Sequence, residues 1–370
     1  MMREIFVTSL FDPIQLGAVS APNRVLMAPL TRGRATRNHV PTPIMADYYA
    51  QRASAGLIIS EATGISQQGL GWPFAPGIWS DEQVEAWKPV TQAVHDKGGR
   101  IIVQLWHMGR AVHSSVTGEQ PVSSSATATP GDAHTYEGKK PYETARPLAI
   151  EEIPGLIETY VRAAHNAIEA GFDGVQIHAA NGYLIDEFLR DNSNFRDDIY
   201  GGSVENRVRL LREVTQAVVD AIGADRVSVR LSPNGDSQGV DDSDPATLFA
   251  AAADVLNDIG IAFLELREPG PAGTFGATTV PRQSPLIRQH FKGPLVLNSD
   301  YDADRAQADL SSGLADAISF GRPLMANPDL VERLEQGAPV NAPQSMATWY
   351  GQGEVGYTDY PTLEEEKTAA

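Results

Sequence analysis

The sequence predicts a (β/α)8 barrel, and three observations carry that prediction. Eight short, nearly continuous apolar runs are spread along the chain, the pattern of strands buried on both faces. Segments of helical periodicity lie between them, and parallel neighbours need such crossovers to cover a sheet. No G-x-G-x-x-G turn follows the first run, so the competing doubly wound dinucleotide fold loses its best support.

Taken in order, residues 1–23 hold two short apolar runs, 5–10 and 14–16, about Asp12-Pro13. They are expected to pair as an N-terminal hairpin plugging one end of the barrel. The strand candidates are residues 24–30, 56–62, 100–107, 174–180, 227–233, 263–269, 294–299 and 317–323. Two intervening helices are clearest. Over 155–171, Leu156, Tyr160, Ala164 and Ile168 share a face and Gly171 suits a C-terminal stop. Over 205–223, Val208, Leu211, Val214 and Val218 do the same before Gly223. The longest interval, between the third and fourth strands, contains a Ser/Thr/Pro/Gly-rich excursion over 108–147, which is expected to be a lid over a site. The polar segment 363–370 is expected to fray. One barrel domain is thus expected over residues 1–370.

Composition narrows the function. Against 29 Lys+Arg stand 47 Asp+Glu, a formal charge of −18, which repels phosphate backbones and argues against nucleic-acid binding. There are no cysteines, so thiolate chemistry, iron–sulfur clusters and Cys-ligated zinc are excluded. No metal site is expected. The N-terminus lacks a signal-like apolar stretch, and no run is long enough to span a membrane, so a cytoplasmic location is expected. Surface composition fits a monomer or a homodimer equally.

In such barrels the reactive face lies at the C-terminal ends of the strands. The predicted strands deliver Pro29 and Thr31, then Glu61 and Ala62, then Gln104, Trp106 and His107. They go on to His178 (followed by Asn181 and Tyr183), Arg230, Glu265 with Arg267, Asn298 with Ser299, and Gly321 with Arg322. No lysine falls at a strand end, so a Schiff-base aldolase has no nucleophile. No His-x-His pair occurs, which removes a common zinc-hydrolase signature. Glu61 and Glu265 could form a glycosidase pair, but the sequence fixes no separation between them. Gly321-Arg322 after the last strand suits a phosphate, through close backbone approach and a bidentate donor; a plain turn with a solvated arginine reads the same way. His178 and Asn181 can converge on one carbonyl oxygen that gains negative charge, with Tyr183 as a neutral proton donor. A core histidine with a capping asparagine is the alternative.

At these residues the chain resembles the Old Yellow Enzyme family of flavin-dependent ene-reductases. The resemblance spans LFDPIQLGAVSAPNRVLMAPLTRGRA, ISEATGIS, VQLWHMGR, GVQIHAANGYLIDEFLRDNSNFRDDIYGGSVENRVRLL, FGRPLMANPDL and GYTDYP, in that order. It implies a tightly bound, non-covalent FMN with NADPH or NADH as reductant. Carried over, it implies that Pro29, Thr31, Ala62, Gln104 and Arg230 contact the flavin ring. Ser299, Gly321 and Arg322, with Asp300 nearby, would meet its phosphate, although a glycine is often found where Ser299 stands. His178 and Asn181 match the pair that grips the activating carbonyl, and Tyr183 the proton donor. Trp106 and Tyr350 match pocket aromatics, and Trp349 a residue flanking the flavin. The implied activity is ping-pong reduction of the C=C bond of α,β-unsaturated carbonyl compounds, with nitro compounds as a further class. Related dienoyl-thioester reductases usually carry an iron–sulfur region that a cysteine-free chain lacks. A catalytically idle barrel that binds a flavin or a small anion is the remaining alternative.

Overall fold

The computed structural model describes residues 8–273 and 276–369. Eight parallel strands close into a barrel: β1 (Val25–Met27), β2 (Ile58–Gly64), β3 (Ile101–Trp106), β4 (Val175–His178), β5 (Val227–Leu231), β6 (Phe263–Arg267), β7 (Leu295–Asn298) and β8 (Ala317–Phe320). Each falls within or beside a predicted run. The observed strands mostly stop short of the runs, because residues such as Pro29, Pro233 and Pro323 lie in apolar stretches but have no N–H for a ladder. Every neighbouring pair is parallel, and β8 pairs β1 through Ile318, Ser319 and Phe320 against Val25, Leu26 and Met27.

One irregularity bears on function. Between β2 and β3 the register shifts from Ile59–Ile102 to Ala62–Gln104, so β2 bulges at Ser60 and Glu61. Bulges re-aim side chains near sites. Here the shift brings Ala62 level with Gln104 and sends Glu61 outward.

Helices cover the strands through one continuous apolar layer, in which Trp87, Tyr160, Leu211 and Leu256 are fully buried. The predicted helix over 155–171 forms as Ile153–Glu169, and Gly171 follows it with φ +88°. The predicted helix over 205–223 is two segments, Val204–Arg207 and Arg209–Ile222, divided at Val208.

The N-terminal hairpin exists with a different partner. Ile14–Leu16 pairs antiparallel with Val19–Ala21 and not with the run over 5–10, half of which lies outside the described residues. The turn is Gly17-Ala18, and Gly17 at φ +62° occupies the first central position, where a type II′ turn demands glycine. Leu16, Val19 and Ala21 pack against Leu26, Leu57, Ile102, Phe263 and Val296, sealing the end of the barrel where the strands begin.

The excursion over 108–147 has structure of its own. It contains a short helix (Ser114–Thr117), a two-residue parallel pairing of Val122–Ser123 with Arg146–Pro147, and a hairpin of Asp132–Thr135 with Gly138–Pro141. The C-terminal segment, expected to fray, is a helix, Leu363–Ala369. Its start is held because Leu363 N–H donates to Asp329 and Glu366 pairs with the fully buried Arg333. No helix among the described residues is long and apolar enough to cross a membrane.

Candidate active site

A cavity of about 520 Å³ opens at the C-terminal ends of the strands. All of the site residues picked from the sequence line it: Pro29, Thr31, Ala62, Gln104, Trp106 and His178 from the first four strands and their loops; Asn181, Tyr183 and Arg230; Ser299, Gly321, Arg322 and Tyr350. Asp300 and Trp349 line it too.

Its floor is a polar layer formed by neighbouring strands. Gln104 Nε2 donates to Gln176 Oε1 at 2.7 Å, and Gln176 Nε2 donates to Glu265 Oε2 at 2.9 Å. Ser319 Oγ donates to the other Glu265 oxygen at 2.5 Å. Arg230 lies 2.9 Å from Glu265 as an ion pair, and its Nη2 donates to Asn298 Oδ1 at 2.9 Å. This network holds the Gln104 amide in one orientation and fixes Arg230 at the cavity. Among the described residues Arg230 Nε has no hydrogen-bond partner, and neither has His178 Nδ1 or Trp106 Nε1. Buried polar atoms left in that state are costly without a ligand or water.

His178 ends β4 and is 4% exposed. Burial, then the cations Arg230 and Arg267, hold its imidazole well below its usual pKa, so it is neutral. Tyr183 packs edge-on to His178 (4.9 Å between rings) and to Trp106 (5.0 Å). Its phenol pKa is raised, chiefly by desolvation, so it keeps its proton at neutral pH. Asn181, between them in the loop, takes φ +60°, a conformation that asparagine tolerates better than most residues. Gly182 follows at φ +77°, and a Cβ there would sit 2.3 Å from Ser237 O, so only glycine fits.

At the rim, Arg322 donates to Asp300. Gly321 is unlike Gly182. A Cβ added to it would meet only Leu30, at 3.4 Å. No protein contact demands glycine there, and the space it leaves belongs to the cavity.

A strap formed by residues 344–360 supplies the outer wall, with Trp349 and Tyr350. It is clamped by two arginines of the loop after β1. Arg32 donates to Trp349 O and Gly356 O, at 3.1 and 2.5 Å. Arg34 donates to Trp349 O, Thr348 O and Val355 O at 2.7–3.1 Å. Glu61 supports the clamp from below by accepting Arg32 N–H and Gly33 N–H, both at 3.1 Å. The excursion reaches the rim through His134, whose ring lies 4.8 Å from that of Trp72, and Trp72 in turn meets Tyr350 at 5.0 Å.

Of the other strand-end residues read from the sequence, Arg267 and Asn298 line the cavity, whereas Glu61, His107 and Glu265 do not. Glu61 serves the clamp and Glu265 lies beneath the floor, so they are not a glycosidase pair. His107 turns away: its Nδ1 accepts Gly109 N–H, and burial lowers its pKa to about 4. Sequence reasoning assigned no role to Arg267, Trp72 or the supporting Gln176 and Ser319. Arg267 stood at a predicted strand end and was visible there; Gln176 and Ser319 lie inside otherwise apolar runs and carried no signal beyond their polarity.

The sequence matches the NADH:flavin oxidoreductase / NADH oxidase family over residues 9–341. Among solved structures, the chain is similar to an Old Yellow Enzyme homologue from Zymomonas mobilis, 64% identical with a TM-score of 0.95, covering 96% of this chain and 100% of that one. It is similar to morphinone reductase in complex with tetrahydroNAD, 47% identical with a TM-score of 0.90, covering 96% and 98%. It is 43% identical over 362 residues to 12-oxophytodienoate reductase 1 of Oryza sativa subsp. japonica, covering 96% of this chain and 93% of that protein.

Proposed function

The chain belongs to the NADH:flavin oxidoreductase / NADH oxidase family, as a member of the Old Yellow Enzyme group, and from that premise we propose that it binds FMN and uses a reduced nicotinamide to reduce the C=C bond of α,β-unsaturated carbonyl compounds. The observation that carries this reading is the convergence of a neutral His178, Asn181 and a protonated Tyr183 on one cavity whose floor presents Gln104 and Arg230.

The residues present fit the cofactor. Gln104, with its Nε2 engaged by Gln176, is left to meet a heterocycle edge through its amide oxygen. Arg230 offers a cation with an unpartnered Nε beside it, suited to a ring that becomes anionic on reduction. Thr31, Pro29 and Ala62 line the same side, and Ser299, Gly321 and Arg322 surround the open space at the rim where a phosphate would lie. Asp300 opposes an anion there, and the remaining guanidinium donors of Arg322 offset it. Bound there, FMN would supply two-electron hydride chemistry, coupling oxidation of the nicotinamide to reduction of the alkene.

The protein does the rest. His178 and Asn181 grip the carbonyl oxygen and withdraw charge from the β-carbon; a neutral imidazole donates without becoming an acid. Tyr183 gives its proton to the α-carbon, and its raised pKa keeps that proton in place until the carbon is basic enough to take it. Trp106, Tyr350 and Trp349 shape a flat slot and limit water. Nitroalkenes present an oxygen of similar geometry and belong to the same substrate class.

The test is anaerobic. Purified protein should be yellow, bleach with NADPH or NADH and recover colour with 2-cyclohexenone, and Tyr183→Phe should slow the recovery about a hundredfold while leaving flavin content unchanged. A colourless protein that does not take up FMN would end the proposal.

A further inference from the structure

Resting on that reading of Asn181, we propose that Arg267 is a positioning residue that decides which end of the Asn181 amide faces the substrate. An asparagine presents an acceptor oxygen at one end and an NH2 donor at the other, with nearly the same shape, so its neighbours choose the orientation. A guanidinium can only donate. Arg267 Nη1 lies 3.2 Å from Asn181 Oδ1, and its position fixes the oxygen on that side. The NH2 end is left toward the cavity that Asn181 lines.

The rest of the residue is already immobilised. Asn181 N–H donates to Ser232 Oγ at 2.7 Å, and its carbonyl accepts from Gln238 Nε2 at 2.9 Å. Amide orientation is the freedom that remains. Arg267, the last residue of β6, is itself held with Nη1 3.3 Å from Ser237 Oγ, and is only 9% exposed. A reversed amide would set its NH2 against a guanidinium and its oxygen against the substrate oxygen, unfavourable at both ends. Without the arginine the two orientations differ little, and half or more of the sites would present the wrong end.

The experiment is a double-mutant cycle on the holoprotein: wild type, Arg267→Met, Asn181→Ala and the double variant. Two quantities are read, the dissociation constant of a phenol from the flavin absorbance change and kcat/KM for 2-cyclohexenone. Arg267→Met should weaken both by about twofold or more when Asn181 is present, as half or more of the sites then present the wrong end, and leave both unchanged when it is alanine, because the arginine acts through the amide. Arg267→Lys, which keeps a donor, should recover most of the loss. FMN content and melting temperature should stay at wild-type values. Equal losses in both backgrounds, or no loss with Asn181 present, would overturn the proposal. If Arg267→Met does not fold, Arg267→Gln, too short to keep the contact, takes its place in the cycle. A wild-type protein that binds no flavin or ignores the enone would remove the underlying reading instead, so the two failures are distinct.

Discussion

Ser299 sits at φ +114° and Asp300 at φ +48°, successive residues in the left-handed half of backbone space where side chains are strained. The strain falls at the loop after β7 that borders the cavity. Ser299→Gly should therefore stabilise the fold by about 1 kcal/mol, relief of strain outweighing the extra chain entropy of glycine. Urea unfolding of the two proteins measures it; a destabilised variant would mean that the serine hydroxyl contributes more than the backbone loses. At this scale the sequence was informative where a residue's chemistry and its strand-end position coincide, as for His178, Asn181, Tyr183 and Arg322. It was silent where a side chain's direction decides. His107 and Trp106 are adjacent, and alternation sends only Trp106 into the cavity.

Among the elements, the excursion over 108–147 has a buried carboxyl group among its anchors. Glu187, on the helix Leu184–Leu189, accepts Arg110 N–H at 2.9 Å and lies 2.6 Å from Ser123 Oγ, and its own carbonyl accepts Ser124 Oγ at 3.0 Å. Burial pushes its pKa up to about 8 from the usual carboxylate range. A group that binds its proton more tightly folded than unfolded stabilises the fold fully at low pH and loses that contribution as pH rises through its folded value. On this account stability falls between about pH 5 and pH 8. Glu187→Gln, which mimics the neutral acid, should raise the melting temperature by a few degrees at pH 8 and little at pH 5. The same difference at both pH values would refute the assignment. The eight strands were legible because burial on both faces makes them short, mainly apolar runs, interrupted by the polar residues that build the floor. The hairpin partner was missed because apolar length favoured residues 5–10, whereas turn chemistry at Gly17-Ala18 selects Val19–Ala21.

Across the whole molecule, the closed barrel leaves few places for a terminal segment to attach, and the final helix uses one. Leu363 is buried, and Glu366 is a partner of the fully buried Arg333 and of Asn341. Removing residues 363–370 should cost about 2 kcal/mol, from one buried leucine and a weakened ion pair, and lower the melting temperature without changing flavin content. An unchanged melting temperature would show that the helix is only laid against the surface.

The strap clamp joins residues more than 300 positions apart: Arg32 and Arg34 near the beginning of the chain grip backbone carbonyls of residues 348–356. Loop closure over such a span contributes little until the intervening chain has condensed. On a ribosome the first βα unit would therefore emerge long before its partners, with two arginines still waiting for acceptors. The outer wall of the cavity is completed only after the eight strands that carry its floor have been made, so in synthesis the floor precedes the wall.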